Sequence, residues 1–354
     1  MKICFFNTTK FWGGGEKWHY EVGKALRDKG HEVVFFANTE SELAKRLGSA
    51  GIKNKVANVG KWSFLNPWKL RNTYQFFKAE RFDTVIFNGP LDLKLGAFCA
   101  ARARVPQRIY RRGLAAPIKH SFLNKKFLKR GLTAIIANSK KTAQLISDRL
   151  PLDHLPVHVV YNGLHDFSSN IVSAPNSRLV IGNLGRLDEQ KGQGHLLELA
   201  ADLKSKDIDF EIRIGGEGNQ RKKLEKTIKD ANLSQNVTLL GHVDDVEAFL
   251  KSIDIFVFSS LWEGFGFAMA EAMLCEKPVI AFDLSSNPEV IANSKIGFLV
   301  PFGDRAALCN KVMELASDRE LCSQLGKNAR KWVLESFMFD SQIEKLEKIL
   351  LEED

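Results

Sequence analysis

Two glutamates separated by seven residues, in Glu263-Gly-Phe-Gly-Phe-Ala-Met-Ala-Glu271, follow an apolar run, Ile255–Phe258, and a short loop, Ser259–Trp262. Gly264 and Gly266 free backbone amides where a helix should begin. Unpaired N–H groups and the helix dipole stabilise an anion at such a point. Glu263 belongs to the loop and Glu271 to the helix, about two turns along, so their carboxylates can accept hydrogen bonds from sugar hydroxyls without meeting phosphates. A second loop, Gly185-Arg186-Leu187-Asp188-Glu189-Gln190-Lys191-Gly192, follows the apolar run Leu179–Leu184. Its Arg and Lys, five apart, can converge on a diphosphate, one as a planar fork and the other as a point charge. Either pattern alone also suits a solvated helix start or an ordinary polar loop. Their occurrence in one half, at the same end of the sheet, makes a shared anion-and-hydroxyl site the stronger reading.

The elements that must hold these loops alternate between apolar strands and amphipathic helices. In the first half, strands are expected at Lys2–Asn7, His31–Asn38, Thr84–Asn88, Gln107–Tyr110, Ala134–Asn138 and Val157–Tyr161. A loop containing Gly13, Gly14 and Gly15 follows the first strand, and a helix over Glu16–Lys29 stops at Gly30. The polar stretch His165–Ser177 reads as a linker. A second alternation follows, with strands at Leu179–Leu184, Phe210–Ile214, Val237–Leu240, Ile255–Phe258 and Pro278–Ala281. The end, Asp318–Glu353, is helical with a break near Ser336–Asp340. Buried strands alternating with helices predict an α/β chain of two doubly wound, parallel-sheet, Rossmann-like domains facing a cleft. Ligands are expected at the carboxyl ends of the strands. The expected domains are residues 1–165 and 166–336.

Gly185-Arg186…Lys191-Gly192 and Glu263-x7-Glu271 strongly resemble the signatures of the family 4 glycosyltransferases of the GT-B fold. Supporting pieces run along the chain: Gly13-Gly14-Gly15-Glu16, Ala137-Asn138-Ser139, Val160-Tyr161-Asn162-Gly163, Gly215-Gly216-Glu217-Gly218, Gly241-His242-Val243 and Gly297-Phe298-Leu299-Val300. The resemblance implies a retaining, nucleotide-sugar-dependent transferase with a first, acceptor-binding domain and a second, donor-binding domain. It implies that Arg186 and Lys191 hold the donor diphosphate, that Glu263 bonds the donor sugar, and that Glu271 bonds the ribose. It places the amides around Phe265 and Gly266 against sugar and phosphate, and the backbone of His242 and Val243 against the base. The Gly14-Gly15 loop would close over the phosphate. A final helix would return to the first domain, so that residues 337–354 pack there. UDP is the expected nucleotide from family frequency, with a hexose-type sugar. The resemblance requires neither a metal nor a resident cofactor, since fixed cations can meet the charge of a departing diphosphate. The string Asp207-Ile208-Asp209 resembles an acidic metal-binding pattern but precedes a strand, and reads as a turn.

Relatives commonly carry a histidine at the end of a first-domain strand. The corresponding segment here is Arg108-Ile109-Tyr110-Arg111-Arg112-Gly113, so Arg111 or Arg112 is expected to bind an acceptor phosphate or carboxylate instead. His120 reads as structural.

The two halves differ sharply in charge. Residues 1–165 hold 29 Lys and Arg against 11 Asp and Glu, whereas residues 166–354 hold 22 against 31. No acidic residue lies between Asp92 and Asp148, a span with 13 Lys and Arg. The first half therefore expects an anionic partner. Within residues 102–130, Phe122, Leu123, Phe127 and Leu128 approximate one helical face among basic residues, a pattern suited to an anionic membrane surface. A solvated basic face over a core stripe is the alternative. Trp12, Trp62, Phe64 and Trp68 fall in loop-like segments that can line an acceptor groove, while Trp18 and Trp332 read as packing residues.

Five cysteines, never spaced CxxC, argue against a disulfide framework or zinc cluster and fit a reducing cytosol. The N-terminal apolar run is too short for a signal peptide, and no run of 18 apolar residues occurs. The expected location is the cytoplasm, peripheral to the inner face of the membrane. The expected acceptor is an anionic, lipid-linked or lipopolysaccharide-type glycan. Two rivals remain at this point: a nucleotide-sugar epimerase of the same fold, for which no clear acid/base set appears, and a basic nucleic-acid-binding module, which leaves Arg186, Lys191, Glu263 and Glu271 unexplained.

Overall fold

The computed structural model describes residues 1–114, 131–148, 155–167 and 176–352. His120, most of the basic stretch up to residue 130, and linker residues 168–175 lie outside these. The described residues form two compact units, Met1–Asn162 with Asp340–Asp354, and Gly163–Phe339.

The first unit is a seven-stranded parallel sheet. Its strands are β1 (Lys2–Asn7), β2 (Glu32–Asn38), β3 (Asn54–Ala57), β4 (Thr84–Phe87), β5 (Gln107–Arg112), β6 (Ala134–Ala137) and β7 (Val157–Val159). They lie in the order β3-β2-β1-β4-β5-β6-β7. β1 and β4 are apolar along almost their whole length because helices cover both faces of a parallel sheet. Phe6 stacks on Phe36 across β1 and β2 with ring centroids 4.3 Å apart. The helix α1 (Gly14–Asp28) connects β1 to β2, burying Trp18, Val22 and Leu26. It ends before Gly30, whose φ of 95° suits a residue without a Cβ.

The last helix, Phe339–Leu351, contributes to this unit from Asp340 onward. Glu347 accepts bonds from Lys29 at 2.9 Å and lies 2.8 Å from His31 Nε2, and the Tyr161 amide donates to Gln342 at 3.0 Å.

The second unit holds β8 (Leu179–Leu184), β9 (Phe210–Gly215), β10 (Val237–Gly241), β11 (Ile255–Phe258), β12 (Val279–Phe282) and β13 (Phe298–Val300). Their order is β10-β9-β8-β11-β12-β13, again all parallel. The unit starts at Gly163, because Leu164 forms a bridge with Met338 and its amide donates to the Phe337 carbonyl at 2.9 Å.

The apolar runs expected as strands are strands, with ends shifted by a few residues. β3 and β13 were not expected. Both are edge strands, and the Asn-Lys-Val-Ala of β3 shows no buried face. The break near residue 337 is present, between the helices Arg319–Ser336 and Phe339–Leu351. Asp207-Ile208-Asp209 is indeed a turn between helix and strand, with Asp207 at φ 55°.

Candidate functional site

Strand order in each sheet reverses beside its first strand, between β1 and β4 and between β8 and β11. Loops diverge at such a switch point and leave a crevice at the carboxyl ends. In the second unit, the loops after β8 and β11 carry Arg186, Lys191 and Glu263.

The β8 loop winds into a short 3₁₀ turn, Glu189–Lys191, capped by Asp188, whose carboxylate accepts the Lys191 amide at 3.2 Å. The same carboxylate pairs with Arg186 at 3.1 Å, leaving the Arg186 side chain 72% exposed. Gln193 is buried and donates to the Arg186 carbonyl at 2.9 Å. Gly192 then takes φ 62°, and a Cβ there would stand 2.3 Å from the Ser259 carbonyl oxygen. That close approach joins the two loops. Ser259 Oγ donates to the Lys191 carbonyl at 2.8 Å, and the Leu261 amide donates to the Gln190 carbonyl at 2.8 Å.

Lys191 Nζ forms an ion pair with Glu263 Oε1, with both side chains mostly buried. The Glu263 backbone is held by the loop after β12. Its amide donates to Ser285 Oγ at 3.0 Å, and its carbonyl accepts from Ser285 Oγ at 2.7 Å and Ser286 Oγ at 3.1 Å. Ser285 adopts φ 55° to do so. These two serines were not foreseen: no motif spacing marks them, and only their place after a strand hints at a role.

Gly266, at φ 84°, begins the helix Phe267–Leu274 without any side-chain cap, so an anion can meet its first amides. Phe265 and Gly266 are buried. Glu271 is the fifth residue of that helix, little more than one turn from its start, which corrects the expected two turns.

Glycines also bring the next two loops against the first. A Cβ on Gly216 (φ 138°) would lie 2.0 Å from the Gly185 carbonyl oxygen, and one on Gly218 would lie 2.3 Å from that of Leu187. The Gly216 amide donates to the Gly241 carbonyl at 2.6 Å. Val243 packs beside Gly215, while His242 projects with its side chain 78% exposed, 3.3 Å from Asp244. The second unit thus gathers Arg186, Lys191, His242, Val243, Glu263, Phe265, Gly266 and Glu271 on loops and a helix start at one end of one sheet.

The first unit corrects two expectations. Gly14 and Gly15 are the first residues of α1, not a loop, and a Cβ on Gly15 would meet the Asn88 side chain at 2.7 Å. Arg111 and Arg112 lie inside β5, which runs two residues past its expected end, and both are buried. Arg111 donates to Asn162 at 2.7 Å and sits 4.8 Å from the Trp18 ring centroid. Burial pushes its guanidinium down to about 10, with Glu16 acting the other way. Trp18 is buried as expected, whereas Trp68 lies in the helix Pro67–Glu80.

Around them is a buried polar group that the sequence did not reveal. Asp92 accepts from the Thr8 amide at 2.8 Å, from Thr8 Oγ at 2.5 Å and from the Gly89 amide at 2.7 Å. Burial raises its carboxyl to about 6, against those hydrogen bonds. His19 is fully buried against Phe5, neither ring nitrogen hydrogen-bonded, and burial holds its imidazole well below the usual range.

Residues 166–332 match the family described as glycosyl transferases group 1, and residues 12–166 match Glycosyltransferase Family 4. The chain belongs to the family 4, group 1 glycosyltransferases. Within this family, it is 31% identical over 167 residues to a poly(ribitol-phosphate) alpha-N-acetylglucosaminyltransferase of Staphylococcus aureus, covering 47% of this chain and 34% of the relative. The chain spans between about a third and a half of the length of the first curated relatives it matches. An Escherichia coli UDP-Gal:alpha-D-GlcNAc-diphosphoundecaprenol alpha-1,3-galactosyltransferase is 24% identical over 306 residues, covering 80% of this chain and 79% of the relative. Anabaena HepE, solved in complex with UDP, superposes with a TM-score of 0.85 over 99% of both chains at 22% identity, which shows the shared GT-B fold.

Proposed function

We propose that this protein transfers a hexose-type sugar from a nucleoside-diphosphate sugar, UDP being the expected carrier, to a hydroxyl of a lipid-linked or lipopolysaccharide-type glycan, with retention at the anomeric carbon. The observation that carries the reading is the linked pair of loops bearing Lys191 and Glu263 beside Arg186. It puts two cations for a diphosphate and a carboxylate for a sugar at one end of one sheet.

In this reading Arg186 and Lys191 stabilise the negative charge that develops on the departing diphosphate, taking the part a divalent metal would otherwise play. Glu263 orients the sugar hydroxyls, Glu271 the ribose, and the amides after Gly264 meet phosphate oxygens at the helix start. The backbone at His242 and Val243 holds the base, and Gly14 and Gly15, at the uncapped start of α1, approach the phosphate. Retention follows from attack on the face the diphosphate leaves, its oxygen taking the acceptor proton. The acceptor chemistry is supported by relatives named for undecaprenyl-diphosphate-linked and poly(ribitol-phosphate) acceptors. The basic, acid-free span around residues 102–130 supports peripheral attachment to an anionic membrane on its cytoplasmic side. No helix among the described residues is long and apolar enough to cross a membrane.

A thermal-shift panel of UDP, GDP, ADP, TDP and CMP against the parent and Glu271→Ala tests the donor site. A shift selective for one diphosphate, lost in the variant, is the expected result. No shift with any nucleotide would overturn the transferase reading.

A further inference from the structure

We infer that the carboxyl end of the first unit's sheet carries a docking surface for an anionic lipid bilayer, built from two stripes on adjacent segments. The first stripe is Trp62, Leu65 and Trp68. After β3, Trp62 precedes and Leu65 ends a 3₁₀ turn, Ser63–Leu65, and Trp68 stands at the start of the helix Pro67–Glu80, beyond the extended Asn66. Trp62 is 66% and Trp68 73% exposed. The second stripe is Leu91, Lys94 and Phe98, which follow β4 on consecutive helical turns, with Phe98 56% exposed. Lys94 joins the stripes, its Nζ lying 5.4 Å from the Phe64 ring centroid, and Phe64 lies 6.4 Å from the Trp62 ring.

Apolar side chains of this size are rarely grouped in the open without a partner. Among the described residues of the second unit the exposed large apolar side chains, Leu240, Trp262, Phe302 and Leu334, fall on four separate segments and form no such pair of stripes.

The charge around the stripes names the partner. Residues 43–79 contain eight Lys and Arg and no Asp or Glu. Lys61, Lys69 and Arg71 flank the tryptophans, and Arg102 stands one turn beyond Phe98. The one acid within residues 91–102, Asp92, is buried and bonded to Thr8 and Gly89. Indole rings with a polar N–H edge, aliphatic side chains and cations without surface acids match the headgroup layer of a negatively charged membrane. A stacking platform for an uncharged glycan would explain the indoles but not a cation beside each of them. The inference rests on the membrane-linked acceptor proposed above and supplies that acceptor's carrier with a landing surface at the end of the sheet where α1 begins and β5 ends.

The full chain is mixed with phosphatidylcholine vesicles, with and without phosphatidylglycerol, and followed by flotation and tryptophan emission. Flotation and a blue shift are expected only with phosphatidylglycerol. Trp62→Ser/Trp68→Ser should lower the partition coefficient about tenfold or more and abolish most of the blue shift. Lys61→Gln/Lys94→Gln should lower it about fivefold per charge removed and leave little dependence on phosphatidylglycerol. These side chains are in the first unit, so the UDP thermal shift should persist in both variants. Loss of that shift in the parent, with flotation intact, would sink the donor reading and leave the docking surface standing. The docking inference is overturned if the parent does not float, if it floats equally on phosphatidylcholine alone, or if Trp62→Ser/Trp68→Ser floats like the parent. It is also overturned if flotation is lost only on neutralising Lys119–Arg130, or if emission responds to a soluble oligosaccharide and not to vesicles.

Discussion

The two sheets share one topology, yet their carboxyl ends are built in opposite ways. In the first unit, that end contains a buried polar group: burial displaces Asp92 upward and His19 and Arg111 downward from their ordinary ranges. In the second unit, the corresponding end is made of backbone, with glycines at 192, 216, 218 and 266 letting loops touch where any Cβ would collide or strain. Arg186 stays near solvent, while Lys191 and Glu263 are mostly buried against each other. One design fixes a scaffold through side-chain hydrogen bonds, and the other brings main chain close enough to wrap a ligand.

The sharpest break of this contrast is Lys191→Ala. It removes a cation from the proposed leaving-group site and should cut transfer about 10³-fold, read as release of nucleoside diphosphate in the presence of acceptor. The first unit should be untouched, so vesicle flotation should persist. Next comes Gly216→Ala, where φ 138° and a 2.0 Å approach to the Gly185 carbonyl forbid a methyl. It should cost about 3 kcal/mol or more in chemical denaturation and abolish the UDP shift.

The buried acid of the first unit predicts a pH effect. The folded Asp92 carboxyl, raised to about 6, holds its proton more tightly than an unfolded one. Its contribution is therefore present at low pH and lost as pH rises through about 6. Relative to Asp92→Asn, the parent should be about 3 kcal/mol more stable near pH 4 than near pH 8. His19 has the opposite sign: its lowered imidazole favours folding above about pH 6.5, and that benefit fades as the solution becomes more acidic. Asp92→Asn should expose this, giving a steeper loss of stability below pH 6.5 than the parent shows. The smallest effect belongs to Gly14→Ala. No atom lies within 4 Å of its Cβ position and its φ is not positive, so stability should change by no more than about 1 kcal/mol, upward.

Much of the second unit's candidate site was legible in the sequence because its residues are of particular types at fixed spacing. Arg186, Lys191, Glu263 and Glu271 each follow a continuous apolar strand, and the glycines among them have few other reasons to be there. The first unit was less legible. The sequence reads Arg111 or Arg112 as a ligand for an acceptor phosphate or carboxylate, and since arginine is seldom buried, only the structure shows Asn162 and the Trp18 ring receiving Arg111. Asp92 and Thr8 are 84 residues apart, so their bond leaves no local pattern. β3 hides for a different reason: an edge strand of Asn-Lys-Val-Ala has no fully buried residue and lacks the run of apolar residues that marks a buried strand. Ser285 and Ser286 escaped notice because backbone anchoring asks only for a hydroxyl at the right place.

The contact between Lys191 and Glu263 has one more consequence. A lysine already held by a carboxylate must leave it to reach a diphosphate, and the carboxylate then needs another donor. A sugar nucleotide supplies one in its hydroxyls, whereas the spent nucleotide has no sugar in that place. In the proposed reaction the contact would therefore oppose retention of the spent nucleotide more than binding of the loaded one. The tie between Lys191 and Glu263 would then act as a latch that clears the site for the next donor.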